Sequence, residues 1–208
     1  MGLGPLTHRL AERFTVVTYD PLGLAHGRLG RPVPDQRVEA WSDGAREVLD
    51  AVLPDGESAY VLGTSSGGVA ALDLLARHPR RLRHVVAHEP PCVTVLPDGA
   101  RQRAAFREVY DTYRAAGPAA TAARLTGVLE ERAPDALPDG RPLSPTPRLT
   151  LAAGETSRGR LLHRTAEFLA RRAGSGFAEL PGGHLGALEH PVAFADRLTD
   201  LFEAPAPL

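Results

Sequence analysis

The chain has 208 residues, 43% of them hydrophobic, and a net charge of −1, so one substantial core in a single domain over residues 1–208 is expected. The near-neutral balance excludes both the basic footprint of a nucleic-acid binder and the polybasic face of a membrane-surface protein. Cys92 is the only cysteine, no apolar run approaches the ~18 residues of a membrane span, and no signal-peptide core opens the chain, so a cytoplasmic protein without disulfides is expected.

In chain order, residues 6–11 have helical spacing, and Arg13-Phe14-Thr15-Val16-Val17-Thr18-Tyr19-Asp20 is an apolar strand-like run with Gly23 beyond it. Residues 38–49 space their apolar side chains like a helix, with Trp41 on it. The run 59–62 is strand-like and is followed by a helical pattern over 69–75. A second strand-like run, His84-Val85-Val86-Ala87-His88, ends at Glu89-Pro90-Pro91. Residues 92–147 then break the alternation. Phe106, Val109, Tyr110 and Tyr113 form one helical set, and Leu125, Val128 and Leu129 a second; a Pro- and Gly-rich stretch, 133–147, follows. Strand-like runs at 148–154 and 176–180 complete the pattern. Such alternation predicts an α/β fold, a mostly parallel sheet covered by helices on both faces.

The most informative segment is Gly63-Thr64-Ser65-Ser66-Gly67, which fits G-x-S-x-G between the strand-like run and the helical one. A strand turning abruptly into a helix strains the backbone at its tip, and bulky neighbours there would clash. Ser65 at that tip stands clear of the sheet, where helix N-terminal amides favour negative charge. The plain alternative is a glycine-rich turn carrying a solvated serine. A serine hydroxyl needs a base to act as a nucleophile, and that base needs an orienting group. His184, in Pro181-Gly182-Gly183-His184-Leu185-Gly186, is the best base: it follows the last strand-like run on a loop whose glycines allow close backbone approach. No Cys/His cluster has metal-ligand spacing, and no metal or cofactor is expected. His8, His78 and His88 read as ordinary polar positions.

These stretches together resemble the α/β-hydrolase fold superfamily, in its serine-nucleophile esterase and lactonase branch. Residues 13–20 resemble its fourth strand, 59–75 its nucleophile elbow, 84–91 its sixth strand and 148–154 its seventh. Residues 176–203 resemble its last strand, histidine loop and C-terminal helix. The order Ser, acid, His is also that of the family. Two departures stand out. The family's usual Asp after the seventh strand is replaced: Gly154-Glu155-Thr156-Ser157 puts Ser157 there. The acid is then Glu89, at the exit of the sixth strand, or Glu155, two residues early; Glu89 is favoured because the carboxyl ends of the strands face the crevice. The family's three opening strands and its His-Gly oxyanion loop are also missing ahead of residue 13. Residues 14–18 are therefore expected to stand apart from 59–63 across a gap one strand wide, near ~10 Å. That gap goes with a native polypeptide extending upstream of Met1; the alternative is that the two segments pair directly.

The resemblance implies a serine hydrolase acting on a small-molecule ester or lactone. Ser65 would be the nucleophile, His184 the base and Glu89 its orienting acid, while Ser66 would supply one backbone N–H of the oxyanion hole. Residues 92–147 occupy the family's lid position, and the expected partner is a small-molecule substrate; oligomeric state is left open. The alternative reading is a catalytically impaired or non-hydrolytic homologue: a pseudo-enzyme, a cyclase-like binder or a truncated product.

Overall fold

A computed structural model describes residues 2–33, 35–132 and 146–204. Three helices come first: α1 (Gly4–Leu10), α2 (Leu22–Arg28) and α3 (Val38–Val52). The strands β1 (Ala59–Thr64), β2 (Leu82–His88), β3 (Leu149–Gly154) and β4 (Gly176–Leu180) then form one parallel sheet whose spatial order is their chain order. Parallel neighbours require crossovers. Here α4 (Ser66–Arg77) links β1 to β2, α5 (Gly99–Glu130) lies between β2 and β3, and α6 (Leu161–Ala173) links β3 to β4. The short α7 (Gly186–Glu189) and then α8 (Pro191–Glu203) close the chain.

The central strands are apolar on both sides because both sides are covered. Val85, Ala87, Leu151 and Ala153 pack against Ala71 and Leu74 of α4 and Ala166 and Ala170 of α6, with α3 behind them. Val86, Ala152 and Leu180 face the other way, onto Leu6 and Leu10 of α1 and Phe194, Leu198 and Phe202 of α8. Fully burying side chains such as Leu74 or Phe194 stabilises the fold by about 1.5–3 kcal/mol each. Register brings the carboxyl ends of the strands level: Thr64 lies beside His88, His88 beside Ala152, and Gly154 beside Leu180. Ser65, Glu89, Glu155 and Pro181 therefore all leave the sheet at one edge.

One expectation needs correcting. Residues 13–20 do not form a strand, and no ladder joins them to β1. Their backbone groups have no neighbouring strand among the described residues to pair with, so an apolar sequence alone does not make them a strand. Packing holds the segment instead: Phe14 lies edge-on to Tyr60 and Phe202, with centroids 5.7 and 6.1 Å away, and Val16 joins the same cluster. Val17 and Tyr19 face solvent. Within 92–147 the two helical sets lie on the two arms of α5, which meet at a kink. The bend in α5 falls at Gly117 (φ 77°, ψ −173°), a left-handed conformation suited to glycine, immediately before Pro118. Most of the Pro- and Gly-rich stretch, residues 133–145, lies outside the described residues.

Candidate active site

Ser65 occupies the turn between β1 and α4 with φ 53° and ψ −123°, a sparsely populated conformation for a residue with a side chain. The small residues around it have a steric cause. A Cβ on Gly63 would lie 2.7 Å from the Gly67 carbonyl carbon and 2.9 Å from Ala71 Cβ, so only glycine lets the helix fold back on the strand. The turn is tied to the sheet by the Ser65 amide, which donates to the His88 carbonyl at 2.9 Å. Ser66 is the first residue of α4, so its amide is among the helix N–H groups with no intrahelical acceptor.

Glu89 follows β2, also with positive φ (47°), and its side chain is 1% exposed. One carboxylate oxygen, Oε1, accepts the Gly154 amide at 3.0 Å, and the other, Oε2, lies 2.8 Å from His184 Nδ1. Burial pushes this carboxyl up, but hydrogen bonding from His184 and then Gly154, with smaller contributions from His88 and Ser157, holds it below the usual carboxylate range. Glu89 is thus ionised in a dry setting. With Nδ1 of His184 directed at Glu89, Nε2 is left to take a proton from elsewhere.

Of the residues singled out in the sequence, Glu89 and His184 are brought into direct contact, and Ser65 is joined to them through the His88 backbone. Glu155 is not brought in: it is exposed on the short turn after β3, where its charge acts on Arg158. Among the described residues no hydrogen bond joins the Ser65 hydroxyl to His184. Among them, too, no group of three His, Cys, Asp or Glu side chains is placed to hold a metal ion.

His88 is not an ordinary polar position. It is fully buried, stacks on the His184 ring at 6.5 Å and meets Phe194 edge-on at 5.4 Å; among the described residues neither ring nitrogen has a hydrogen-bond partner. Burial, foremost, pushes its pKa down to about 4, so it stays neutral beside the Glu89–His184 pair. The Gly154 amide also went unread, because a backbone donor leaves no motif. The one sequence signal for His88 was its place as the last residue of an apolar strand, directly before Glu89.

A parallel sheet sandwiched by helices, with a strained serine at a strand–helix turn and an acid–histidine pair at the same edge, defines an α/β hydrolase. Residues 5–135, more than half of the chain, match the alpha/beta hydrolase fold family. The chain is 29% identical to the uncharacterized hydrolase YraK of Bacillus subtilis, over 95% of this chain and 82% of that one. It is 40% identical to the pimeloyl-[acyl-carrier protein] methyl ester esterase of Aromatoleum aromaticum, over 48% of this chain and 38% of that one. Among solved structures, an alpha/beta hydrolase from Sphaerobacter thermophilus superposes with a TM-score of 0.53 at 22% identity, covering 96% of this chain and 86% of that one. The chain belongs to the alpha/beta hydrolase fold family. It is a hydrolase of that fold with esterase-like relatives.

Proposed function

We propose that this chain hydrolyses a small-molecule ester or lactone through a covalent acyl-enzyme, with Ser65 as nucleophile, His184 as general base and Glu89 as the acid that orients it. The observation that carries this reading is the 2.8 Å contact between the buried Glu89 carboxylate and His184 Nδ1, at the sheet edge where Ser65 is held strained. Glu89 fixes the imidazole tautomer and balances the imidazolium when it forms. Ser65 Oγ attacks the substrate carbonyl while its proton passes to His184 Nε2. The tetrahedral oxyanion takes a hydrogen bond from the Ser66 amide. Collapse breaks the bond to the leaving oxygen, which receives the proton from His184. Water, deprotonated by the same imidazole, then attacks the acyl-enzyme and restores Ser65.

The bent α5 and its surroundings serve as a lid over the carboxyl edge, so the insert selects the acyl group. An ester substrate fits the similarity to the methyl ester esterase, which covers 48% of the chain. The thiol of Cys92 is no rival nucleophile, since burial pushes its pKa up. A cytoplasmic setting fits that single, unpaired cysteine.

One observation favours a second reading, that of a non-covalent binder: among the described residues no hydrogen bond joins the Ser65 hydroxyl to His184. In acyl-transfer sites that contact often tightens only when substrate binds. Rapid mixing with p-nitrophenyl acetate separates the two. Covalent catalysis predicts a burst of p-nitrophenol stoichiometric with protein, lost in Ser65→Ala. Binding without a burst would establish the second reading.

A further inference from the structure

Residue 88 touches all three members of the proposed triad. Its carbonyl accepts the Ser65 amide at 2.9 Å, and its peptide runs directly into Glu89, whose amide donates to the Ala152 carbonyl at 2.8 Å. Its ring lies 21° from the plane of the His184 ring with 6.5 Å between centroids, within the separation at which rings interact. Phe194 of α8 meets it edge-on, at 81° and 5.4 Å, so the ring is held from a second direction. Stability alone does not explain an imidazole here. The neighbours on that face of the sheet, Val86, Ala152 and Leu180, are apolar, and the His88 ring nitrogens are buried with no hydrogen-bond partner among the described residues. Burying polar groups without partners costs stability. A core position that breaks this rule without a packing gain is typical of a working site.

We propose that His88 is a positioning residue of this hydrolase: its buried ring is the plate against which the His184 imidazole rests, keeping Nδ1 on Glu89 and Nε2 turned to Ser65. The inference rests on the Ser65–His184–Glu89 reading. The backbone of the His184 loop is pinned by the Thr156 amide, which donates to the Gly182 carbonyl at 3.0 Å. The His184 side chain itself is 26% exposed. Its bond to Glu89 fixes one ring atom but not the plane of the ring, since the outer torsion of a histidine is soft. A flat neighbour fixes the plane. Because the same residue holds the Ser65 amide, base and nucleophile are both referred to one point at the end of β2. This role asks for a flat ring and not for a proton carrier.

The test measures kcat and KM for p-nitrophenyl acetate, and the rate at which a fluorophosphonate labels Ser65, in the parent chain and five variants. In His88→Ala, kcat and the labelling rate should fall together by on the order of 10–100-fold with KM little changed, the loss that a slightly misplaced base brings. His88→Leu keeps about the same volume without the flat ring. It should fall as well, and it carries the comparison if the alanine variant does not fold. His88→Phe restores a ring and should recover most of the loss. Leu82→Ala, a core deletion at the opposite end of β2, should lower the melting temperature and leave kcat near that of the parent. Parent-like kcat in His88→Leu, a loss confined to KM, a loss shared by Leu82→Ala, or one that His88→Phe does not recover would each overturn the proposal. His184→Gln separates this failure from that of the underlying reading. Labelling as fast in His184→Gln as in the parent would sink the triad itself, whereas slow labelling there beside parent-like His88 variants would sink the plate alone.

Discussion

At the scale of single residues, the two candidate carboxylates differ in position rather than in chemistry. Glu89 and Glu155 are the same side chain, yet one is buried against His184 and the other is exposed beside Arg158. Replacing Glu89 with Gln keeps the shape but removes the charge that balances the imidazolium, so kcat should fall by on the order of 10³–10⁴ with the fold intact. Glu155→Gln should leave kcat nearly unchanged. Steady-state kinetics on an activated ester checks both, and the reverse pattern would move the acid to the turn after β3. Ser65 and His184 were legible in the sequence because each sits among glycines required by local backbone geometry. The acid remained open between two candidates, because contact between residues 89 and 184 depends on how β2, β3 and β4 align. The Gly154 amide was illegible for the same reason: its bond to Glu89 exists only once the turn after β3 is laid against the exit of β2.

At the scale of elements, the strand–turn–helix unit 59–77 carries the strain. Gly63 faces the Gly67 backbone and Ala71 so closely that a single methyl has no room. Gly63→Ala should destabilise the protein by about 1–3 kcal/mol, the usual cost of overpacking, and should lower activity more than stability because it shifts Ser65. Thermal melts beside burst amplitudes would show this, and an unchanged melting temperature would mean the elbow is looser than described. The strands β1 to β4 and helices α3 and α4 were readable from periodicity, since each has one face or both set against the core, whereas α8 was read from the family resemblance. The run 13–20 misled for a physical reason: apolar alternation marks a segment that packs, and Phe14 and Val16 do pack, but a strand also needs a hydrogen-bonding neighbour. The bend at Gly117 was hidden because the two apolar sets on either side keep helical spacing.

At the scale of the whole molecule, burial of His88 links stability to pH. Its pKa is pushed down to about 4 in the folded protein, while in the unfolded chain it titrates near its ordinary value of 6.5. Between those values the unfolded chain binds more protons, so stability falls as pH drops from about 6.5 toward 4, by on the order of 3 kcal/mol across the window. Glu89 adds to this at still lower pH: its folded pKa lies below its ordinary one, so its contribution is present above that ordinary value and is lost as pH falls through the folded one. Melting temperatures recorded from pH 7 to pH 4 should drop steadily, and His88→Phe should flatten the curve. Equal slopes in the two proteins would show that His88 is not buried neutral. The fold class was legible at this scale from strand–helix alternation alone, whereas the packing of Phe194 on α8 against His88 depends on contacts between distant segments.

The central claim is that Ser65 is a nucleophile activated by His184, and the most direct measurement is covalent labelling with an alkyl fluorophosphonate, located by peptide mass spectrometry. The adduct is expected on the peptide carrying Ser65, absent in Ser65→Ala and strongly reduced in His184→Gln, since an unactivated hydroxyl reacts slowly. An adduct on any other residue, or labelling that persists in Ser65→Ala, would contradict the account.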